Sequence, residues 1–398
     1  MRYVIAIAAL IASLAVGIYI GANPNTPVIG SLKDVVAPEK AEIYTDQVQS
    51  LIEDDYYKKI PEPTLTNGSI GGMVKSLDDP YSHYFDPKQN EAFEQAISGQ
   101  YTGVGMAVNQ DKRGLLVTLT YPGSPARRGG LLPGDVITAV NGKSIAGQSA
   151  DAAVAKVKGP EGTPVTITIA TPTKKGGRKL GKEREVKLVR KQIDIPVAEG
   201  KPYKRNGRKI GVVQLSSFTE TAGKAVTTQV DKLKKQGADS FVLDLRGNGG
   251  GRLDQAVAVC SIFVNNGMIV ATQGRTRKRE QFNAVKSDFR SAAPLAVLVD
   301  KGSASASEIT AGSLKYRDRA LIVGTRTFGK GVFQEVTDLK NGGAVSLTVG
   351  RYVLPGNHFI TKVGLKPDLT IVDNPKTKPD EALDASFAAL GQFKSPAK

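Results

Sequence analysis

Charged and apolar positions recur at helical spacing from Ala37 to Leu51. A second helical pattern covers Gly68 to Leu77 and stops at Asp78-Asp79-Pro80. These patterns predict an N-terminal helical region over residues 23–98. Beyond Ser98 the texture changes to short β-type runs broken by Gly: Val104–Val108, Leu115–Thr120, Asp135–Val140, Val165–Ile169 and Glu185–Val189. One helix-like segment, Ala150–Val157, interrupts them. From Ile210 strands and helices alternate: strands Ile210–Leu215, Ser240–Leu245 and Leu295–Val299, and helices Ala222–Gln236, Leu253–Phe263 and Ala306–Tyr316. Alternation of this kind argues for an α/β domain. The fold class is therefore multidomain α/β with an inserted, mainly-β module and a helical N-terminal unit. The α/β core is assigned to residues 192–373, and a Pro- and Lys-rich tail, 374–398, is expected to be partly mobile.

The stretch Tyr3–Ala22 carries no charge after Met1 and Arg2, and its 20 residues reach the length of a spanning helix. Residues 1–22 read as a signal peptide or N-terminal membrane anchor, with Ile20-Gly21-Ala22 a poor cleavage site. Arg2 on one side and the Asn- and Pro-rich flank Asn23–Pro27 on the other put the body on the exported side. With a single cysteine, Cys260, and two histidines, the chain can build neither an internal disulfide nor a Cys/His zinc site. Export with a lone Cys suits a bacterial periplasm or cell envelope.

A net charge of +16 would permit nucleic acid as a partner. Fourteen Lys and Arg fall between Lys174 and Lys209, however, broken by Gly, Pro and apolar stretches, with no Trp in the chain and no aromatics interleaved beyond the single Tyr203. This is a basic hairpin and linker, and it lacks the stacking platform that single strands need. A solvated or phospholipid-facing surface is the expectation, without nucleic acid.

Gly103-Val104-Gly105-Met106 precedes a short strand, and Ser124-Pro125-Ala126 leads to Gly129-Gly130-Leu131-Leu132-Pro133-Gly134-Asp135 and then Val140-Asn141-Gly142. Residues 99–191 thereby resemble a PDZ domain. A Gly-flanked loop exposes successive N–H groups that can hold a terminal carboxylate while the next strand accepts the peptide as an added strand. The resemblance implies a loop from Tyr101 through Gly103, Val104 and Gly105, with protein C-termini as ligands.

Gly302-Ser303-Ala304-Ser305-Ala306-Ser307-Glu308 lies between an apolar strand and a helix. Ser305 and Glu308 match the S-x-x-E capping box, so Ser305 could simply cap the helix. Small neighbours leave its hydroxyl accessible, and the helix N-terminus favours negative charge there. A serine nucleophile needs a base. His83, in Pro80-Tyr81-Ser82-His83-Tyr84, and His358, in a turn-like Gly356-Asn357-His358, are poor candidates. Lys330, in Thr327-Phe328-Gly329-Lys330-Gly331, is better, because desolvation would bring its amine toward neutrality. Asp244-Leu245-Arg246-Gly247-Asn248-Gly249-Gly250-Gly251 follows an apolar strand and opens a helix, where free N–H groups could face an oxyanion. It lacks the G-K-[ST] of a phosphate loop.

Ser303–Glu308 with Lys330 twenty-five residues after Ser305 resembles the C-terminal processing proteases, a serine peptidase family with a Ser-Lys pair. Asp79-Pro80-Tyr81-Ser82, the PDZ-like module, Leu243–Pro367, Tyr352–Pro355 and Gly364-Leu365-Lys366-Pro367-Asp368 extend the resemblance over nearly the whole exported chain. It implies a crotonase- or ClpP-like core, Gln334 as the residue orienting Lys330, and an oxyanion hole from Ala306 and Gly250 or a neighbouring glycine. The insertion Thr173–Lys182 is longer than the family pattern, and Lys158 stands where Arg is expected, at a position coupling the PDZ module to the core. The expectation is an exported serine endopeptidase without metal or organic cofactor. It would act on chains with apolar C-termini, with room for an activating or adaptor protein and for a homo-oligomer. The rival is a catalytically inactive PDZ adaptor presenting clients to another protease.

Overall fold

The computed structural model describes residues 40–174, 177, 179–205, 207–373 and 380–392. The segment 1–22, expected as a signal or anchor, and part of the 374–398 tail lie outside these. The chain divides into two units, Met1–Leu77 and Asp78–Lys398. In the first, α1 (Lys40–Asp55) and α2 (Glu62–Lys75) are helices with exposed apolar side chains, among them Val48, Leu51 and Met73. Helix α2 starts earlier than its pattern suggested, because Pro63 in the first turn has no N–H to lose there. Among the described residues no helix is long and apolar enough to cross a membrane.

The second unit begins with β1 (His83–Phe85) and α3 (Pro87–Ser98). Asp86 and Gln89 form a reciprocal capping box at the start of α3, and Gly99 ends it at φ 69°. Hydrophobic periodicity alone missed this helix. Strand β1 pairs with the strand 344–353 far along the chain, so residues 83–98 belong to the second unit and not to the helical region assigned as 23–98.

The inserted module is entered and left through a two-stranded ribbon, β2 (Gln100–Gly103) against β9 (Lys191–Asp194). Between them run β3 (Met106–Asp111), β4 (Gly114–Thr120), α4 (Pro125–Arg128), β5 (Val136–Val140), β6 (Lys143–Ser144), α5 (Ala150–Val157), β7 (Pro164–Ala170) and β8 (Arg184–Val189). The sheet is antiparallel, in the order β3-β4-β5-β7-β8, with β6 beside β5. Leu115, Ile137, Ile145, Ile167 and Leu131 fill a core separate from that of the rest of the chain.

The core opens with the hairpin β10 (Ala198–Arg205) and β11 (Arg208–Leu215), which takes up the end of the basic stretch. It continues through α6 (Ala222–Lys235), β12 (Ser240–Asp244), α7 (Leu253–Ser261), β13 (Met268–Gln273), β14 (Glu280–Asn283), β15 (Leu295–Val299), α8 (Ala306–Tyr316), β16 (Leu321–Gly324), β17 (Val332–Asp338), β18 (Ala344–Val353), β19 (Leu369–Thr370) and α9 (Glu381–Gln392). One sheet has the order β10-β11-β12-β15-β16-β19, parallel from β11 onward. Both its faces are covered, which is why β12 and β15 read as unbroken apolar runs. Phe241, Leu243 and Val297 face the core shared with α6, α7 and α8, whereas Val242, Ala296 and Leu298 face α9. Helix α9 therefore corrects the expectation of a mobile tail for residues 381–392, since Phe387 and Leu390 bury into the sheet. A second sheet joins β1, β18, β13 and β14, with β17 on β18.

Candidate active site

At the C-terminal end of β15 the chain turns through Asp300–Ala304 into α8, and the turn is stitched to the Gly-rich segment after β12. Asp300 Oδ1 accepts from the amides of Gly247 (2.9 Å), Gly302 (2.9 Å) and Ser303 (3.1 Å). Ser303 Oγ donates to the Leu245 carbonyl (2.7 Å), while Ser307 Oγ (2.8 Å) and the Ala304 amide (3.1 Å) donate to the Asn248 carbonyl. The small residues around Ser305 thus let two backbone turns interlock. Ser305 itself lies at φ 54°, ψ −115°, a conformation that L residues hold only when their surroundings enforce it.

Glu308 is the enforcing group. Its fully buried carboxylate receives the Thr327 hydroxyl and the Gly329 amide (2.7 Å) on Oε1, and the amides of Ser305 (3.0 Å) and Lys330 (2.8 Å) on Oε2. The residue that the capping-box spacing picked out therefore joins the backbones of Ser305 and Lys330 through one oxygen. The side chain of Ser305 meets the phenol of Tyr352, whose burial pushes its pKa up to about 12. Tyr352 is in turn held by its amide donating to the Gly331 carbonyl, 2.9 Å.

The Lys330 ammonium lies 5.1 Å from the centre of the Tyr81 ring. Burial lowers its pKa from the ordinary lysine value, against an opposing pull from the Asp79 carboxylate. Asp79 is tied in by Ser82 Oγ, which donates to its Oδ2 (2.6 Å) and accepts from the Thr348 amide (3.0 Å). Gln334 Nε2 donates to Thr348 Oγ1, 3.0 Å, which puts Gln334 on the same cluster at a register shift in β17. Asp79-Pro80-Tyr81-Ser82 stood out in the sequence only as a matched motif, and its place against Lys330 requires the β1–β18 pairing, which joins His83 to Ser346.

Ala306 occupies the first helical position of α8, where an N–H has no intrahelical acceptor. Gly250, at φ 103°, packs so closely that a Cβ there would sit 2.9 Å from Ser305 Cβ and 3.0 Å from the Ala306 nitrogen. Its own amide donates to Asn248 Oδ1, 2.9 Å. As an oxyanion donor Gly250 is thus preoccupied, and its role in this geometry is to admit the serine turn. His358 stands apart, stacked on Tyr316 at 3.7 Å at the opposite end of α8 from Ser305, whereas His83 lies near the Asp79 carboxylate. Cys260 is buried, with its thiol pushed up to about 12.

In the inserted module a groove of about 270 Å³ lies between the Tyr101–Met106 segment and α5, lined by Val104, Met106, Val154 and Val157. Helix α3 closes its end, where Lys158 Nζ donates to Gln95 Oε1, 3.1 Å.

Residues 209–371 match the family profile described as Peptidase family S41, residues 116–171 match PDZ domain, and residues 34–89 match Activating protease CtpB N-terminal domain. The chain belongs to peptidase family S41. It is similar to a curated Staphylococcus aureus protein named "Probable CtpA-like serine protease", at 37% identity over 333 residues, 83% of this chain and 64% of that one. A Staphylococcus saprophyticus protein of the same name is 34% identical over 328 residues, 82% of this chain and 64% of that one. The chain thus spans less than two thirds of these S41 relatives' length. A solved structure assigned to the S41 proteases of Bacteroides fragilis, 17% identical and covering 87% of this chain and 97% of its own, superposes with a TM-score of 0.52 and shares the fold.

Proposed function

We propose that this S41 chain is an exported serine endopeptidase that captures protein C-termini in its PDZ module and hydrolyses peptide bonds at Ser305. The observation that carries the reading is the Glu308 carboxylate, which gathers the amides of Ser305 and Lys330 beside a strained serine at a helix N-terminus. Ser305 Oγ attacks the scissile carbonyl while Lys330, as the free amine, takes the hydroxyl proton and later returns it to the leaving amine. Gln334 orients Lys330 through the Thr348 and Asp79 cluster. The Ala306 amide and the amide of Gly249 or Gly251, beside the preoccupied Gly250, stabilise the oxyanion. Residues 1–22 serve as the signal or membrane anchor, placing the body in a bacterial periplasm or cell envelope. The exposed apolar side chains of α1 and α2 leave the N-terminal unit suited to a second copy or an activating partner.

The test is cleavage of an unfolded, apolar-tailed substrate by the full chain beside Ser305→Ala. The variant is expected to be folded and inactive, and equal turnover by it would contradict the assignment.

A further inference from the structure

The carboxylate loop of the PDZ module already contains a ligand from its own chain. The Met106 amide donates to the Tyr101 hydroxyl oxygen at 3.2 Å, and the neighbouring Gly105 amide adds its pull on the same phenol. The Tyr101 hydroxyl donates onward to the Met106 carbonyl at 3.4 Å. Two successive N–H groups beside a positive-φ glycine, Gly105 at φ 81°, form an anion-binding nest. A phenol oxygen fills it.

The ring is seated by construction. A Cβ at Gly103 would come within 2.8 Å of Tyr101 Cε2, so the missing side chain at 103 is the space that the ring occupies. The Lys158 ammonium lies 5.6 Å from the ring centre and is itself held by Gln95. Tyr101 also pairs with Ile193 in the β2–β9 ribbon, which fixes its backbone. Burial pushes the phenol up to about 12, so the group in the nest is neutral at ordinary pH.

We infer that the Tyr101 hydroxyl is an internal competitor for the terminal carboxylate of a peptide, so that a tail must displace it to enter the groove. The inference rests on the reading of this groove as a C-terminus site. A carboxylate is the stronger acceptor for the Gly105 and Met106 amides because it is charged. The exchange therefore runs toward the tail, but every binding event gives up the phenol's bonds first. A weak acceptor such as an amidated or internal segment gains too little from the nest to evict Tyr101. Tyr101, expected among the ligand contacts, thus lowers the affinity of every tail that enters the nest.

The test uses the full chain carrying Ser305→Ala, so that peptides bind without being cut, with and without Tyr101→Phe. Binding of a fluorescent peptide with an apolar C-terminus is measured by anisotropy, as the free acid and as the amide. Tyr101→Phe keeps the ring and removes the competing oxygen. The free acid is expected to bind about threefold to tenfold more tightly, the value of one net hydrogen bond, while the amide gains less. Free-acid affinity that is unchanged or weakened by Tyr101→Phe overturns the competitor role, because Tyr101 would then be a bystander or a true ligand contact. If neither form distinguishes acid from amide, the groove is not a C-terminus site and the underlying reading fails instead.

Discussion

Ser305 sits at φ 54° without being glycine, held there by the Glu308 carboxylate and the interlocked Asn248 turn. Such strain is of order 1–3 kcal/mol and is released when the residue is glycine. Ser305→Gly should therefore melt higher than Ser305→Ala by thermal unfolding, by about 1 kcal/mol, although both should be inactive. A second residue-scale expectation concerns Lys330, whose amine must be unprotonated to accept the serine proton. Burial lowers its pKa and Asp79 raises it. Replacing Asp79 by Asn removes the raising charge, so the free amine should persist to lower pH. The acidic limb of kcat/KM should move down, and a limb that stays put or moves up in a pH–rate profile would separate Asp79 from the base. Gly250→Ala should lower kcat by about a hundredfold or more, since its Cβ would crowd the Ala304 carbonyl at 2.7 Å and push the serine turn off the oxyanion position. At this scale the candidates Ser305 and Lys330 stood out because their flanking Ser, Ala and Gly residues are unusual locally. Tyr352, Asp79 and the second half of the Glu308 contacts were not, because each reaches its partner only through long-range strand pairing.

Among the elements, α9 does more than cover the sheet. Asp380, just before it, accepts from both terminal nitrogens of Arg246 at 2.8 Å, while Asp244 and Asp373 hold the same guanidinium. Arg246 immediately precedes the Gly247–Gly251 turn, so the C-terminal helix buttresses the segment that packs on Ser305. Asp380→Asn should weaken this clasp by about 1 kcal/mol, given its partial exposure, and leave Asp244 in place. Truncation before 380 should be far more damaging, because burial of Phe387 and Leu390 contributes roughly 1.5–3 kcal/mol each. A truncated chain that melts like the full one would contradict this account of α9. Elements with a strong period or an apolar run, such as β15 and α8, lay where the sequence put them. Helix α9 hid behind a Pro- and Lys-rich approach, and β17 and β18 carry polar, half-exposed residues whose alternation is too weak to read without their partners.

Across the whole molecule the PDZ groove and the Ser305 site are parts of one compact unit joined by the β2–β9 ribbon. On the proposed function, capture of a tail in the groove would raise the concentration of the attached chain at the core. A substrate with a free apolar C-terminus should accordingly be cleaved about tenfold to hundredfold faster than its amidated twin in competition kinetics, the range expected for losing charge-assisted hydrogen bonds. Domain order and the PDZ module were legible in the sequence because Gly-rich turns punctuate them. The division at Leu77 was not, since it depends on β1 crossing to β18. The central claim is that Lys330 serves Ser305 as its base, and the most direct measurement compares Lys330→Arg and Lys330→Ala with the intact chain on one unfolded, apolar-tailed substrate. Both variants should be equally inactive, because a guanidinium keeps the charge but cannot give up its proton near neutral pH. Turnover by the Arg variant near that of the intact chain would show that the serine proton goes elsewhere.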